Sequence, residues 1–280
     1  MKDLLRRTLT GIFIVIFVLG GFWLHPVSFF ITGLVMVIGT QTEYYRILGK
    51  DGARPQAVMG LVTGITVYTV ASLVAAGYIP ASWFLVLIPL FVLIFTAELY
   101  RKLEKPFDSL SHTIFPILYT VIPFSLFPFS AYNHSGLMSL AASSNIIYSP
   151  GIVVGFFILL MVNDSGAYLV GISLGRHKLM ERISPRKSWE GFFGGVVFTI
   201  ILAWLLSPWL GVTDRKGWLI IAVIISVAGT FSDLVESMFK RSYGVKDSGR
   251  IMPGHGGFLD RFDGVILSFP LVYLYLSLFG

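Results

Sequence analysis

The 280-residue chain has no cysteine, which excludes a disulfide framework and any thiolate-based zinc or redox centre. It is also poor in charge. Asp, Glu, Lys and Arg make up 13% of residues against 55% hydrophobic ones, and the mean hydropathy is +0.79. A soluble globular domain is not built at that balance. The net charge of +6 is not gathered into a basic stripe with interleaved aromatics, so a nucleic-acid partner is excluded. Of the five histidines, none pairs with another at metal-binding spacing.

What is abundant is hydrocarbon. Crossing a bilayer takes about 20 apolar residues per helix. Nine stretches approach that length: roughly 9–24, 27–44, 57–79, 82–99, 111–132, 150–172, 192–210, 217–236 and 264–279. The expected fold is therefore an all-α, polytopic membrane bundle of about nine helices. Residues 2–7 followed by an apolar run resemble a signal peptide, but no small-residue cleavage site follows, so an uncleaved first span is expected. The second span is the weakest, because Gln41, Thr42 and Glu43 encroach on its end. Pro116, Pro123 and Pro128 should kink the fifth. With this segmentation, all but Arg215 and Lys216 of the 21 Lys and Arg fall on one side. That bias predicts a cytoplasmic N-terminus, with the charged segments 173–191 and 237–263 also cytoplasmic. Three regions are expected: 1–99 as scaffold helices, 100–149 as a middle span and outer loop, and 150–280 as the catalytic region.

The polar residues cluster in the last of these. Between Ser237 and Asp263, cations (Lys240, Arg241, Lys246, Arg250, Arg261) alternate with carboxylates (Asp247, Asp260, Asp263), and Gly254, Gly256 and Gly257 surround His255. Such a cluster is costly beside a membrane and marks a functional site. Its chemistry suits a metal-bound polyphosphate: carboxylates for Mg²⁺, cations for phosphate oxygens, glycines for close backbone approach. Asp233 and Glu236, three residues apart on one helix face, add two acids at the end of the eighth span. The expected metal pair is Asp233 and Asp260, with Glu236 and Asp263 as further candidates. The bland alternative is a structural ion network in which Asp233 and Glu236 pair with Lys240 or Arg241.

Two more stretches carry polar chemistry. Ser184-Pro185-Arg186-Lys187-Ser188-Trp189-Glu190-Gly191 stands at the mouth of the seventh span, where helix N–H groups, Lys187 and Ser188 can meet an anion. They serve equally as topology signals and a helix cap. Asp164, within Asn163-Asp164-Ser165-Gly166-Ala167-Tyr168, interrupts the sixth span and should face the bundle interior or a water-filled cavity. A satisfied structural network would also account for it. Asp51-Gly52-Ala53-Arg54 and the sequon Asn133-His134-Ser135 are set aside, the first for its spacing and the second because such triplets occur by chance.

The run from Ser237 through Lys240-Arg241, Lys246-Asp247 and Pro253-Gly-His255-Gly256-Gly257 to Asp260-Arg261-Phe-Asp263 resembles the signature of the phosphatidate cytidylyltransferases, or CDP-diacylglycerol synthases. Met252 departs from it conservatively. The Ser184–Gly191 stretch is similar to that family's run before its seventh span, with Arg186 and Ser188 for the commoner Lys and Thr. The Asp164 element matches as well. The resemblance implies transfer of cytidylyl from CTP to phosphatidic acid, with Mg²⁺ and room for a second cation. Catalytic roles then fall to Asp233, Asp260, Lys240 and Lys187. Substrate contacts fall to Arg186, Lys187, Ser188, Arg241, Lys246, Asp247, His255, Gly256, Gly257, Arg261 and Asp164. A homodimer in a bacterial inner membrane, with a cytoplasmic active site, is expected. The rival readings are a CTP-dependent polyprenol or phytol kinase and a secondary transporter.

Overall fold

The structure, a computed structural model, describes residues 2–50, 52–133, 147–210, 213–249, 251–252 and 256–279. Among the described residues nine helical segments follow one another: α1 (Lys2–Leu24), α2 (Pro26–Lys50), α3 (Ala57–Ala75), α4 (Ala81–Tyr100, opening with a 3₁₀ turn), α5 (Pro106–Ala131), α6 (Gly151–Leu174), α7 (Trp189–Leu210), α8 (Arg215–Ser242) and α9 (Leu259–Phe279). Two short antiparallel hairpins join them, β1 (Tyr132–Asn133) with β2 (Ile147–Tyr148) and β3 (Lys178–Met180) with β4 (Ser184–Ser188). The chain is an all-α polytopic membrane protein.

Seven of these helices, α3 to α9, are long and apolar enough to cross a membrane by length and composition. The sequence-based count was nine. The two further expected spans fall on α1, where the apolar stretch among the described residues is Leu9–Leu24, and on α2. The polar residues at the end of α2 point inward and fasten it to three neighbours. Gln41 donates to the Gly60 carbonyl of α3 at 2.9 Å, and the Tyr45 hydroxyl donates to the Thr113 carbonyl of α5 at 2.7 Å. Glu43, fully buried, reaches the segment before α9.

Helix ends also differ from the apolar runs. The helices α7, α8 and α9 continue into the charged sequence, so Lys240, Arg241, Asp260, Arg261 and Asp263 sit on helical turns. Only 243–258 connects α8 to α9. Backbone groups close inside the helix wherever lipid would otherwise strand them. In α5 the expected disruption is present: a π-helical turn, Ile117–Val121, follows Pro116, and the helix breaks again around Pro123 and Pro128.

The core is aromatic and aliphatic. Phe127 packs edge-on against Phe269 at 4.4 Å between ring centroids, and Trp218 is fully buried against Gly155. The helices α6 and α7 approach through small residues. A Cβ at Gly195 would lie 2.8 Å from the Asn163 carbonyl oxygen, so only glycine permits this separation.

Candidate active site

The helices α8 and α9 run antiparallel, and their register fixes which polar groups meet. The Ser232 hydroxyl bonds the Asp263 carbonyl and accepts from the Leu267 N–H at 3.1 Å. One turn further on, Glu236 stands beside Asp263. Beyond that, Lys240 meets Asp260, with Nζ 2.7 Å from Oδ1.

The result is a carboxylate trio. Oxygens of Asp233, Glu236 and Asp263 all lie within 4.8 Å of one another. Two lysines border them. Lys187, from β4, places Nζ 2.6 Å from Asp233 Oδ2, and Lys240 places Nζ 2.7 Å from Glu236 Oε2. Glu236 is fully buried, and among the described residues its Oε1 has no hydrogen-bond partner. Counting Asp260, which shares Lys240, four carboxylates gather around two lysines among the described residues.

Asp260, the expected partner of Asp233, lies outside the trio and joins it through Lys240, which pairs with both Asp260 and Glu236. Asp260 is committed elsewhere. Its Oδ1 pairs with Lys240, and its Oδ2 accepts from the backbone N–H groups of Ser248 at 2.9 Å and Gly257 at 2.8 Å. Glu236 and Asp263, the further candidates, complete the trio instead. The ion-network alternative is realised for Glu236, which pairs with Lys240, whereas Asp233 pairs with Lys187 and not with Lys240 or Arg241.

Other candidates divide by location. Ser188 is buried and accepts from the Gly191 N–H at 3.1 Å, so it caps the start of α7. Glu190 closes the β3–β4 hairpin by accepting from the His177 ring at 2.6 Å. Gly256 takes φ +83°, and its carbonyl accepts from the Met252 N–H, so with Gly257 it shapes the turn into α9. Arg186, Arg241, Lys246, Asp247 and Arg261 are exposed at the same end of the bundle. Asp164 is also exposed, yet it lies within electrostatic reach of Asp233, Asp263, Lys187 and Arg261, as a group on the wall of an open recess would. His255 lies outside the described residues, as do Asp51, Arg250 and the end of the sequon.

Two residues near the trio carry no motif signal. Tyr119, on the π-helical turn of α5, lies within electrostatic reach of Glu236, Asp263 and Asp233, and its buried hydroxyl has no hydrogen-bond partner among the described residues. Glu43 of α2 binds both ends of the 248–259 segment. An isolated acid in an otherwise apolar span was the one available hint of the latter.

Among known proteins, the phosphatidate cytidylyltransferase of Bacillus subtilis (strain 168) is 45% identical over 130 residues, 44% of this chain and 46% of that protein. Those of Staphylococcus epidermidis (strain ATCC 35984) and Staphylococcus aureus (strain COL) are 44% and 45% identical over 122 residues, each covering 43% of this chain and 46% of the relative. The chain thus spans about half the length of the relatives it matches. The match to the family as a whole is far longer, taking in residues 5–279 and therefore every helix and the carboxylate trio. By that match the chain belongs to the cytidylyltransferase family.

Proposed function

We propose that this protein transfers cytidylyl from CTP to phosphatidic acid, giving CDP-diacylglycerol and pyrophosphate, at a magnesium site held by Asp233, Glu236 and Asp263. The observation that carries the reading is the trio itself. Three carboxylates brought together, one of them a buried Glu236 whose Oε1 accepts no hydrogen bond among the described residues, match the demand of one divalent oxygen-loving cation. Family membership and the names of the relatives supply the substrates. When bound, the ion would neutralise charge developing on the pyrophosphate oxygens.

The chain's own residues do the rest. Lys187 and Lys240 hold Asp233 and Glu236 at 2.6 and 2.7 Å, keeping the carboxylates together against their mutual repulsion. Asp260 anchors Lys240 instead of binding the ion directly. Arg186, Arg241, Lys246 and Arg261 offer positive charge to phosphates at the same end of the bundle. A phosphatidate phosphate oxygen attacks the α-phosphorus of CTP, the P–O bond to the β-phosphate breaks, and pyrophosphate leaves. No general base is needed, because a phosphate monoester is already largely ionised at pH 7. The acyl chains remain in the bilayer while the head group enters sideways. Assembly as a homodimer, a second cation and a cytoplasmic-facing site in a bacterial inner membrane belong to the same proposal.

The test uses purified protein with phosphatidic acid, Mg²⁺ and CTP labelled at either the α- or the γ-phosphorus. The α-label entering lipid with release of pyrophosphate is the expected result. Transfer of the γ-label with release of CDP identifies a lipid kinase and overturns the proposal.

A further inference from the structure

Glu43 is a carboxylate in the middle of an apolar protein, fully buried, and 205 residues away in sequence from the side chain it binds. Its Oε2 accepts from the Ser248 hydroxyl at 2.7 Å and from the backbone N–H of Leu259 at 2.9 Å. Leu259 is the first residue of α9, so Glu43 supplies from another helix the acceptor that a helix N-terminus lacks. The fit is close on both sides. A Cβ at Gly257 would fall 2.2 Å from Glu43 Oε2, and one at Gly249 would fall 2.3 Å from Oε1. Both glycines are therefore needed where the backbone passes the carboxylate. Neighbouring contacts seat the same helix: Phe258 lies over Gly39, and Tyr44 stacks on Phe239 of α8 at 4.1 Å.

From Glu43 a continuous polar chain leads to the carboxylate trio. Ser248 donates its backbone N–H to Asp260, Asp260 pairs with Lys240, and Lys240 pairs with Glu236. We propose that Glu43 is a positioning residue: by holding Ser248 and the N-terminus of α9 together, it sets Asp260, and through Lys240 sets Glu236, in the geometry the site requires. This assigns α2, read from sequence as scaffold, a part in forming the site. The inference rests on the proposed reaction for its kinetic consequence, but not for its structural one.

The experiment compares Glu43→Ala, Glu43→Gln and Ser248→Ala with the unaltered protein in lipid nanodiscs. Amide hydrogen exchange is measured without metal or nucleotide, and CTP turnover is measured separately. In Glu43→Ala and Ser248→Ala, exchange at Ser248 and Gly257–Leu259 is expected to rise by at least about tenfold, while the centres of α8 and α6 stay protected. The same two variants should lose about 10–100-fold in kcat/KM, the range typical of groups that orient ligands from behind. Glu43→Gln keeps an acceptor oxygen and should restore both readouts most of the way. Unchanged exchange at those amides overturns the proposal. So does a uniform loosening of all helices, which would mark Glu43 as a packing residue. If the unaltered protein fails to transfer cytidylyl, the proposed function falls while the exchange result still decides the role of Glu43.

Discussion

Glu236 is the residue whose surroundings are hardest to explain without a cation. It is fully buried, it faces two other carboxylates, and one of its oxygens has no partner among the described residues. Leaving a buried polar group unpaired costs about 1–3 kcal/mol, and more when it is charged. Glu236→Gln removes like-charge repulsion while keeping the shape. Measured without metal, this variant should melt no lower than the unaltered protein, yet its turnover should fall by more than about 100-fold, beyond the range for outer-shell groups. Loss of folding together with activity would instead make Glu236 a structural partner of Lys240. Tyr119 presents the complementary case, a buried donor beside the same acids with no acceptor among the described residues. Tyr119→Phe should leave the melting temperature unchanged or raised, and should lower kcat/KM by about tenfold, the worth of one hydrogen bond to substrate. Unaltered kinetics would show that its hydroxyl never meets the substrate.

At the scale of elements, the site is a consequence of register. The α8–α9 hairpin was legible as two apolar runs with a charged linker, and the composition of the cluster was legible residue by residue. Which acids converge was not. Asp260 and Asp263 are three residues apart on one helix, so sequence spacing alone does not tell which faces Glu236. The decision comes from the Ser232 contacts with Asp263 and Leu267. Ser188 was ambiguous for a similar reason, since a hydroxyl at a helix start both caps and binds anions, and here it caps. The α6–α7 pair behaves differently, because its glycines state the packing directly. Gly195→Ala places a methyl against the Asn163 backbone carbonyl, which has no soft side chain to yield. Overpacking of this kind costs about 1–3 kcal/mol, so a lowered melting temperature is expected. An unchanged one would mean that α6 and α7 separate freely.

For the whole molecule, the absence of cysteine is an experimental advantage. Every introduced thiol is unique. Membrane-impermeant maleimide should label Lys178→Cys and Lys246→Cys only from the cytoplasmic face, and Lys216→Cys only from the opposite face, if the positive-charge bias sets orientation. Labelling of all three from one side would show that α7 and α8 do not cross the membrane. The apolar runs announced most of the bundle, but α2 resisted because its buried polar residues serve α3, α5 and the turn into α9 and not lipid. Such long-range partners leave no local pattern in sequence. The account stands most directly on where the cation sits, and Mn²⁺ titrated into metal-free protein, followed by electron paramagnetic resonance, measures that. Asp263→Asn should weaken Mn²⁺ binding by more than about 100-fold, and Asp260→Asn by about 10–100-fold at most, with Mg²⁺ competing in the unaltered protein. Binding that survives Asp263→Asn but is abolished by Asp260→Asn would contradict the carboxylate trio as the metal site.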